Sequence, residues 1–152
     1  MIRTIVTTAP FSPDAELSQF SAARGAACGA VASFVGYCRG QSASGPVTHL
    51  ELQSYPGFTE AEIARLATEV AQRHDLLGVL VIHRAGVIDP HAPIVLVAAM
   101  SAHRTAAFAA VEQLMDYLKT DAPFWKHETG PGGARWIEPT AEDRARRMEH
   151  ER

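Results

Sequence analysis

Two apolar runs of strand length, residues 77–85 (LGVLVIHRA) and 94–101 (IVLVAAMS), bracket the turn-like Asp89-Pro90-His91. Nothing else in the chain limits its folding as strongly, since runs this short and this rich in Val and Ile read as strands. They are expected to pair as neighbours. Residues 2–8 form a further strand at the N-terminus, and 47–55 alternates Leu50 and Leu52 against Glu51 and Gln53. Residues 26–37 are small and β-branched, with Val31, Ser33 and Val35 on one face and Ala32, Phe34 and Gly36 on the other. That composition predicts a buried strand to which another backbone or a ligand comes close.

Helical periods separate these strands. Pro13 and Asp14 open a short helix to about residue 23. Thr59 with Glu62 three residues on has the capping-box pattern, followed by Ile63, Leu66, Ala67 and Val70 as a buried stripe. From 105 to 120, Phe108, Val111, Met115 and Leu118 recur at helical spacing until Pro123 ends the element. Short strands at 124–128 and 135–138 then flank Gly130-Pro131-Gly132-Gly133, and a polar helix follows from about 140. The order predicts an α+β fold with a mixed, mostly antiparallel sheet, too irregular in its βαβ alternation for a doubly wound nucleotide binder.

A chain of 152 residues fits one domain spanning 1–152. With 47% hydrophobic and 20% charged residues it reads as a folded chain, and it has no apolar span of about 20 residues. No membrane segment and no secretory signal are expected, which makes the cytoplasm the default location. The formal charge of -3 argues against a nucleic-acid partner; Arg144, Arg146 and Arg147 alternate with Glu142, Asp143 and Glu149, as on a solvated helix. Cys28 and Cys38 lie too far apart along one extended segment to bridge, so both are expected as free thiols.

Cations gather where loops meet regular elements: Arg39, the pair His103-Arg104, Lys119 and Lys126. His103 and Arg104 open a helix, where free backbone N–H groups favour an anion, although Arg104 could equally just begin a surface helix. Lys119 sits in a last helical turn, a place where a cation is favoured in any case. Lys126 lies among aromatic residues, with Phe124 and Trp125 expected to wall its amine. Should the two lysines converge, burial and mutual repulsion depress at least one pKa, producing an amine suited to act as base or nucleophile. Residues 39–46 (RGQSASGP) read as a mobile loop beside this site. His83, His91, His103 and His127 lack metal-ligand spacing, so no metal is expected, and no phosphate-loop or serine-nucleophile motif is present.

The segments GAVASFVGYCRG (29–40), LELQSYPGFTEAEI (50–63), VIHRAGVI (81–88), SAHRTAAFAAVEQLMDYLKTDAPFWKHE (101–128) and RWIE (135–138) resemble, in order and spacing, the large catalytic subunit of molybdopterin synthase. The resemblance implies an α/β hammerhead fold and a homodimer at the core of a heterotetramer. It further implies a small ubiquitin-like sulfur carrier whose C-terminal Gly-Gly thiocarboxylate sulfurates a cyclic pyranopterin monophosphate twice, giving a dithiolene with no cofactor. By the same resemblance Lys119 and Lys126 are catalytic and Arg39, His103 and Arg104 bind substrate, with Tyr37, Cys38, His127 and Glu128 beside them. Two departures stand out. Tyr37 occupies a place where the family often has lysine, and Pro139-Thr140 follow Glu138 where it often has arginine. Competing readings are a persulfide sulfurtransferase with Cys38 as nucleophile, activated by Arg39, and an inactive adaptor for a ubiquitin-like partner.

Overall fold

The computed structural model describes residues 1–152. Its elements run β1 (Ile2–Thr7), α1 (Pro13–Ala22), β2 (Ala30–Tyr37), β3 (Gln41–Ser42), β4 (Gly45–Pro46), β5 (His49–Ser54), α2 (Phe58–Arg73), β6 (Gly78–Arg84), β7 (Gly86–Ile88), β8 (Pro93–Ser101), α3 (Arg104–Thr120), β9 (Phe124–Gly130), β10 (Gly133–Ile137) and α4 (Ala141–Glu149). The two apolar runs are β6 and β8, paired antiparallel in the middle of a four-stranded sheet ordered β1-β6-β8-β2. Only β1 and β6 run parallel. A second, fully antiparallel sheet is ordered β10-β9-β5-β7. The fold is therefore α+β with mostly antiparallel pairing, as the sequence predicts, but divided between two sheets and a small hairpin.

The central sheet is covered on both faces because its middle strands are apolar along most of their length, from Val79 to Ile82 in β6 and from Ile94 to Met100 in β8. Val79, Val81, Val95, Val97 and Ala99 face α2 and α3, meeting Ile63, Leu66, Val70, Ala110 and Leu114. Leu80, Ile82, Leu96, Ala98 and Met100 face the other way, toward Phe20 of α1. Period-two alternation thus sorts one continuous apolar run into two cores. The second sheet closes a smaller core of Cys38, Val47, Leu50, Leu52 and Ile88 on its inner face only.

Three local expectations need correction. β2 begins at Ala30 and is an edge strand with β8 as its one neighbour, so Ser33, Phe34 and Tyr37 are exposed rather than buried. α2 is capped at Gly57, whose N–H is taken by the Glu60 carboxylate, while Thr59 is fully buried. The Thr59 hydroxyl accepts from the Tyr55 N–H at 2.8 Å and donates to the Pro123 carbonyl at 3.0 Å, tying the helix start to the segment entering β9. On α3 the buried stripe is Ala107, Ala110, Val111, Leu114, Tyr117 and Leu118; Phe108 is 67% exposed. Small alanines, rather than the large phenylalanine, let α3 lie close on the sheet.

The segment read as a mobile loop forms the β3–β4 hairpin, with the Ser42 hydroxyl donating to the Gly45 carbonyl. It lies against the β9–β10 turn. A side chain at Gly130 would collide with the Pro46 carbonyl, so glycine is required there by a close backbone approach. α4 docks on the C-terminal half of α3 through polar contacts: Arg147 to Asp121 at 2.9 Å and His150 to Asp116 at 2.7 Å. No helix is long and apolar enough to cross a membrane.

Candidate active site

β9 enters directly after α3, so Lys119 in the last helical turn and Lys126 in the strand are brought near one another by a tight connection at 121–123. Cross-strand register then decides where Lys126 points. It pairs with Leu52, while Glu128 pairs with Leu50 and Phe124 with Ser54. Directly opposed residues share a face, so Phe124, Lys126 and Glu128 turn inward with the leucine core. Trp125 and His127 take the outer face. There the Trp125 ring meets Trp136 edge-on at 6.1 Å, and His127 lies 4.6 Å from Trp136. The expected aromatic wall is therefore half right: Phe124 lines the Lys126 side, whereas Trp125 is one residue out of phase and 52% exposed.

The electrostatics follow from this placement. Burial holds the Lys126 amine below the ordinary lysine pKa, and the charge of Lys119 lowers it further; Glu128 and Cys38 oppose the shift and Arg39 adds to it. Glu128 itself is engaged by Arg135 across the β9–β10 pair at 3.6 Å. Cys38 is buried, and loss of solvent followed by the Glu128 charge raises its thiol pKa. Its sulfur faces the Arg39 and Ile88 carbonyls rather than a guanidinium. A buried thiol with a raised pKa is a poor nucleophile, which weighs against a persulfide on Cys38.

The structure thus gathers Lys119, Lys126, Arg39, Cys38 and Glu128 within electrostatic reach of one another. Four other candidates fall outside that cluster. Tyr37 is exposed at the end of β2, His127 is on the far face of β9, and His103 with Arg104 sit at the opposite end of α3. Fifteen residues of helix at about 1.5 Å each separate the Cα atoms of Arg104 and Lys119 by roughly 22 Å. The α3 N-terminus is nonetheless open to an anion: His103 makes no side-chain cap bond and the first turn holds no acidic residue. By contrast α1 has Ser12 as a capping acceptor and Asp14 and Glu16 in its first turn.

Two residues near the lysines were not singled out by sequence. His83, at the end of β6, is buried and stacks on Phe124 with ring centroids 4.2 Å apart and planes 19° apart. Burial lowers its pKa to about 4, with Lys126 and Lys119 contributing in the same direction. Asp143, in the first turn of α4, is held below the usual carboxylate range chiefly by the Thr140 N–H, and the two lysines add to it. Neither has a local signature, because both arrive at the site from distant parts of the chain.

The family model described as MoaE protein matches residues 6–121. The molybdopterin synthase catalytic subunit of Caulobacter vibrioides is 51% identical over 144 residues, covering 95% of this chain and 93% of that protein. Among solved structures, the molybdopterin cofactor biosynthesis protein E of Burkholderia multivorans superposes with a TM-score of 0.81 at 40% identity, over 100% of this chain and 99% of the other. Molybdopterin synthase from Staphylococcus aureus superposes with a TM-score of 0.78 at 25% identity, over 87% and 94% of the two chains. In fold, in length and through most of its sequence, the chain belongs to the MoaE protein family.

Proposed function

We propose that the chain is the catalytic subunit of a molybdopterin synthase, a sulfurtransferase. It takes sulfur from the thiocarboxylated C-terminus of a small ubiquitin-like carrier and delivers it twice to a cyclic pyranopterin monophosphate. The observation that carries this reading beyond family membership is the Lys126 amine, inward-facing and lowered in pKa by burial and by Lys119. Both reactants are anions, so lysine and Arg39 neutralise charges that otherwise repel. A lysine held below its ordinary pKa gives up its proton more readily, which serves the proton transfers of sulfur addition and oxygen loss, while the cyclic phosphate supplies the leaving group. Residues 1–152 act as one domain in this reading, in the cytoplasm.

Each active site is completed by a second copy. Lys119, Lys126 and Arg39 come from one chain, and His103 with Arg104 from the other. The roughly 22 Å along α3 is too long for one pterin phosphate to span. The free edge of β2 offers a way to cross it. Ala30, at its start, pairs with Ser101 just before His103, while Arg39 follows its end. Antiparallel pairing of two such edges about a twofold axis sets the start of one β2 against the end of the other, bringing the partner's Arg104 toward Arg39.

Purified protein, thiocarboxylated carrier and pterin precursor should together yield the dithiolene; failure to do so with an intact carrier rejects the assignment in favour of an inactive adaptor. Mixing Arg104→Ala with Lys119→Ala protein, each inactive alone, should restore part of the activity once subunits exchange. Heterodimers that form and stay inactive would place the whole site within one chain.

A further inference from the structure

Asp121, Ala122 and Pro123 join the end of α3 to the start of β9, and their conformation sets how Lys119 stands to Lys126. Two other helices grip this connection. At its far end the fully buried Thr59 of α2 donates to the Pro123 carbonyl at 3.0 Å. At its near end Arg147 of α4 forks onto Asp121: Nε lies 3.1 Å from Oδ1 and 3.2 Å from Oδ2, and Nη2 lies 2.9 Å from Oδ2. The Asp121 N–H donates to the Tyr117 carbonyl at 2.7 Å and the Thr120 hydroxyl donates to Oδ1 at 2.8 Å, so the carboxylate is fixed to the helix end.

This fork differs from the other arginine pairing on α4. Arg146 meets Glu142 one turn away on the same helix, with both side chains more than half exposed. Arg147 and Asp121 are each less than a quarter exposed. The Arg147 guanidinium lies 4.5 Å from the centre of the buried Tyr117 ring, and it also donates to Glu151, which accepts from the Tyr117 hydroxyl at 3.1 Å. A planar fork with both carboxylate oxygens engaged fixes orientation as well as distance. Burial alone would raise the Asp121 pKa, but the bonds from Arg147 and Thr120 hold it below the ordinary carboxylate range. α4 itself buries no residue, so it adds little to the apolar cores. Its forked contact falls instead on the residue beside the lysine pair.

We propose that Arg147 is a positioning residue for sulfur transfer: through the Asp121 carboxylate it fixes the α3–β9 connection, and with it the spacing of the Lys119 and Lys126 amines. The inference rests on the reading that those lysines carry the reaction. Asp121 follows Lys119 by two residues and precedes Lys126 by five, so a rotation about the connection swings one amine relative to the other. Thr59 anchors the strand side of the connection only. With Arg147 released, the helix side gains freedom, the amines part and water enters between them. Catalysis by positioned groups falls steeply with such displacement. Lys126 also moves back toward ordinary lysine behaviour, because burial and the charge of Lys119 are what hold its pKa down.

Three substitutions test this. Arg147→Gln removes the fork, Asp121→Asn weakens it from the other side, and Arg146→Gln removes a neighbouring charge from the same helix. Lys119 and Lys126 are the only lysines in the chain, so lysine-selective isotope labelling gives one NMR signal for each side-chain amine. In Arg147→Gln and in Asp121→Asn the Lys126 amine should titrate higher by about half a unit or more. Their kcat for dithiolene formation should fall roughly three- to tenfold, with KM for the pterin within about twofold of the unaltered enzyme. The double variant should be no worse than either single one, as expected for two ends of one contact. Arg146→Gln should match the unaltered protein throughout. Unmoved lysine titrations or an undiminished kcat in folded Arg147→Gln and Asp121→Asn protein would overturn the proposal, as would additive losses in the double variant or the same shift in Arg146→Gln. Loss of cooperative unfolding in Arg147→Gln would overturn it too, because the pair would then hold the fold rather than the lysine spacing. The titrations need no turnover: unaltered protein that makes no dithiolene would sink the assigned function, while the spectra still decide whether Arg147 sets the lysine spacing.

Discussion

The central sheet and the second sheet solve different problems with the same kind of strand. β6 and β8 are buried on both faces between helices, and every residue of β6 is out of solvent. β9 and β5 bury one face only, leaving Trp125 of β9, with Trp136 of the neighbouring β10, on the other, both more than half exposed. A sheet sealed on both sides holds a cation only where backbone carbonyls meet it, as those of Thr8 and Val87 meet Arg84 at the end of β6. A sheet covered on one side can draw Lys126 partly inward and depress its pKa without expelling it. The site accordingly lies on the seam, where β6 ends in His83 and β9 presents Phe124 and Lys126. The first sheet supplies rigidity, and the second carries Lys126, one of the two lysines on which the proposed mechanism depends.

The sharpest way to break this division is to exchange consequences between the sheets. Lys119→Ala should abolish dithiolene formation, a loss of roughly 10³-fold or more, and Lys126→Ala should reduce it about 10²-fold, each with an unaltered unfolding midpoint. Near wild-type turnover in Lys119→Ala would remove the basis of the mechanism. Leu96→Ala should do the reverse: this side chain is fully buried in the central sheet, so its truncation should lose about 2–5 kcal/mol in denaturant unfolding. Any folded fraction should keep its activity per molecule. A stability loss under 1 kcal/mol would contradict the rigidity assigned to that sheet.

Acid probes the seam itself. His83 titrates near 4 in the folded protein against an ordinary 6.5, so the unfolded chain takes up its proton first as pH falls. Stability from this group is complete above about pH 6.5 and is lost progressively toward pH 4, by about 3 kcal/mol. Urea unfolding at pH 7 and pH 4 should show that loss, and His83→Phe should remove its share of the difference. An unchanged pH dependence in the variant would mean that other groups govern acid sensitivity.

Smaller effects are expected within the second sheet. Gly130→Ala should destabilise by about 1–3 kcal/mol, because the new methyl collides with the Pro46 carbonyl and parts the β3–β4 hairpin from the β9–β10 turn. Hydrogen exchange should show the change confined to those two hairpins; protection lost across β6 and β8 would show that the sheets unfold together. Cys38→Ser should be the mildest, costing about 1 kcal/mol or less with turnover nearly intact, since the carrier brings the sulfur and nearby carbonyls can accept from a hydroxyl. A folded but inactive Cys38→Ser enzyme would revive the persulfide chemistry.

Local pattern made much of this legible. The apolar runs that became β6 and β8 could be read directly, because a buried strand shows as an uninterrupted stretch of Val, Ile and Leu. Pattern misled where one residue of phase matters. Sequence adjacency puts Trp125 against the lysine, although neighbours along a strand face opposite ways. Helical spacing puts Phe108 in the buried stripe of α3, although alanines fill the contact. The Thr59–Glu62 spacing predicts a cap, whereas Thr59 joins α2 to the β9 entry.

What the sequence by itself determined is the order and kind of the elements, the family, and the list of cations on which chemistry could depend. Those properties are carried by backbone periodicity and by residue type, and both are local. Only the tertiary structure decided which cations meet. It brought Lys126, Lys119, Arg39 and Glu128 within electrostatic reach, turned His127 away, and set Arg104 at the far end of α3. The physical reason is that a pKa depends on distance through space and on exclusion of water, and neither is encoded by any segment alone.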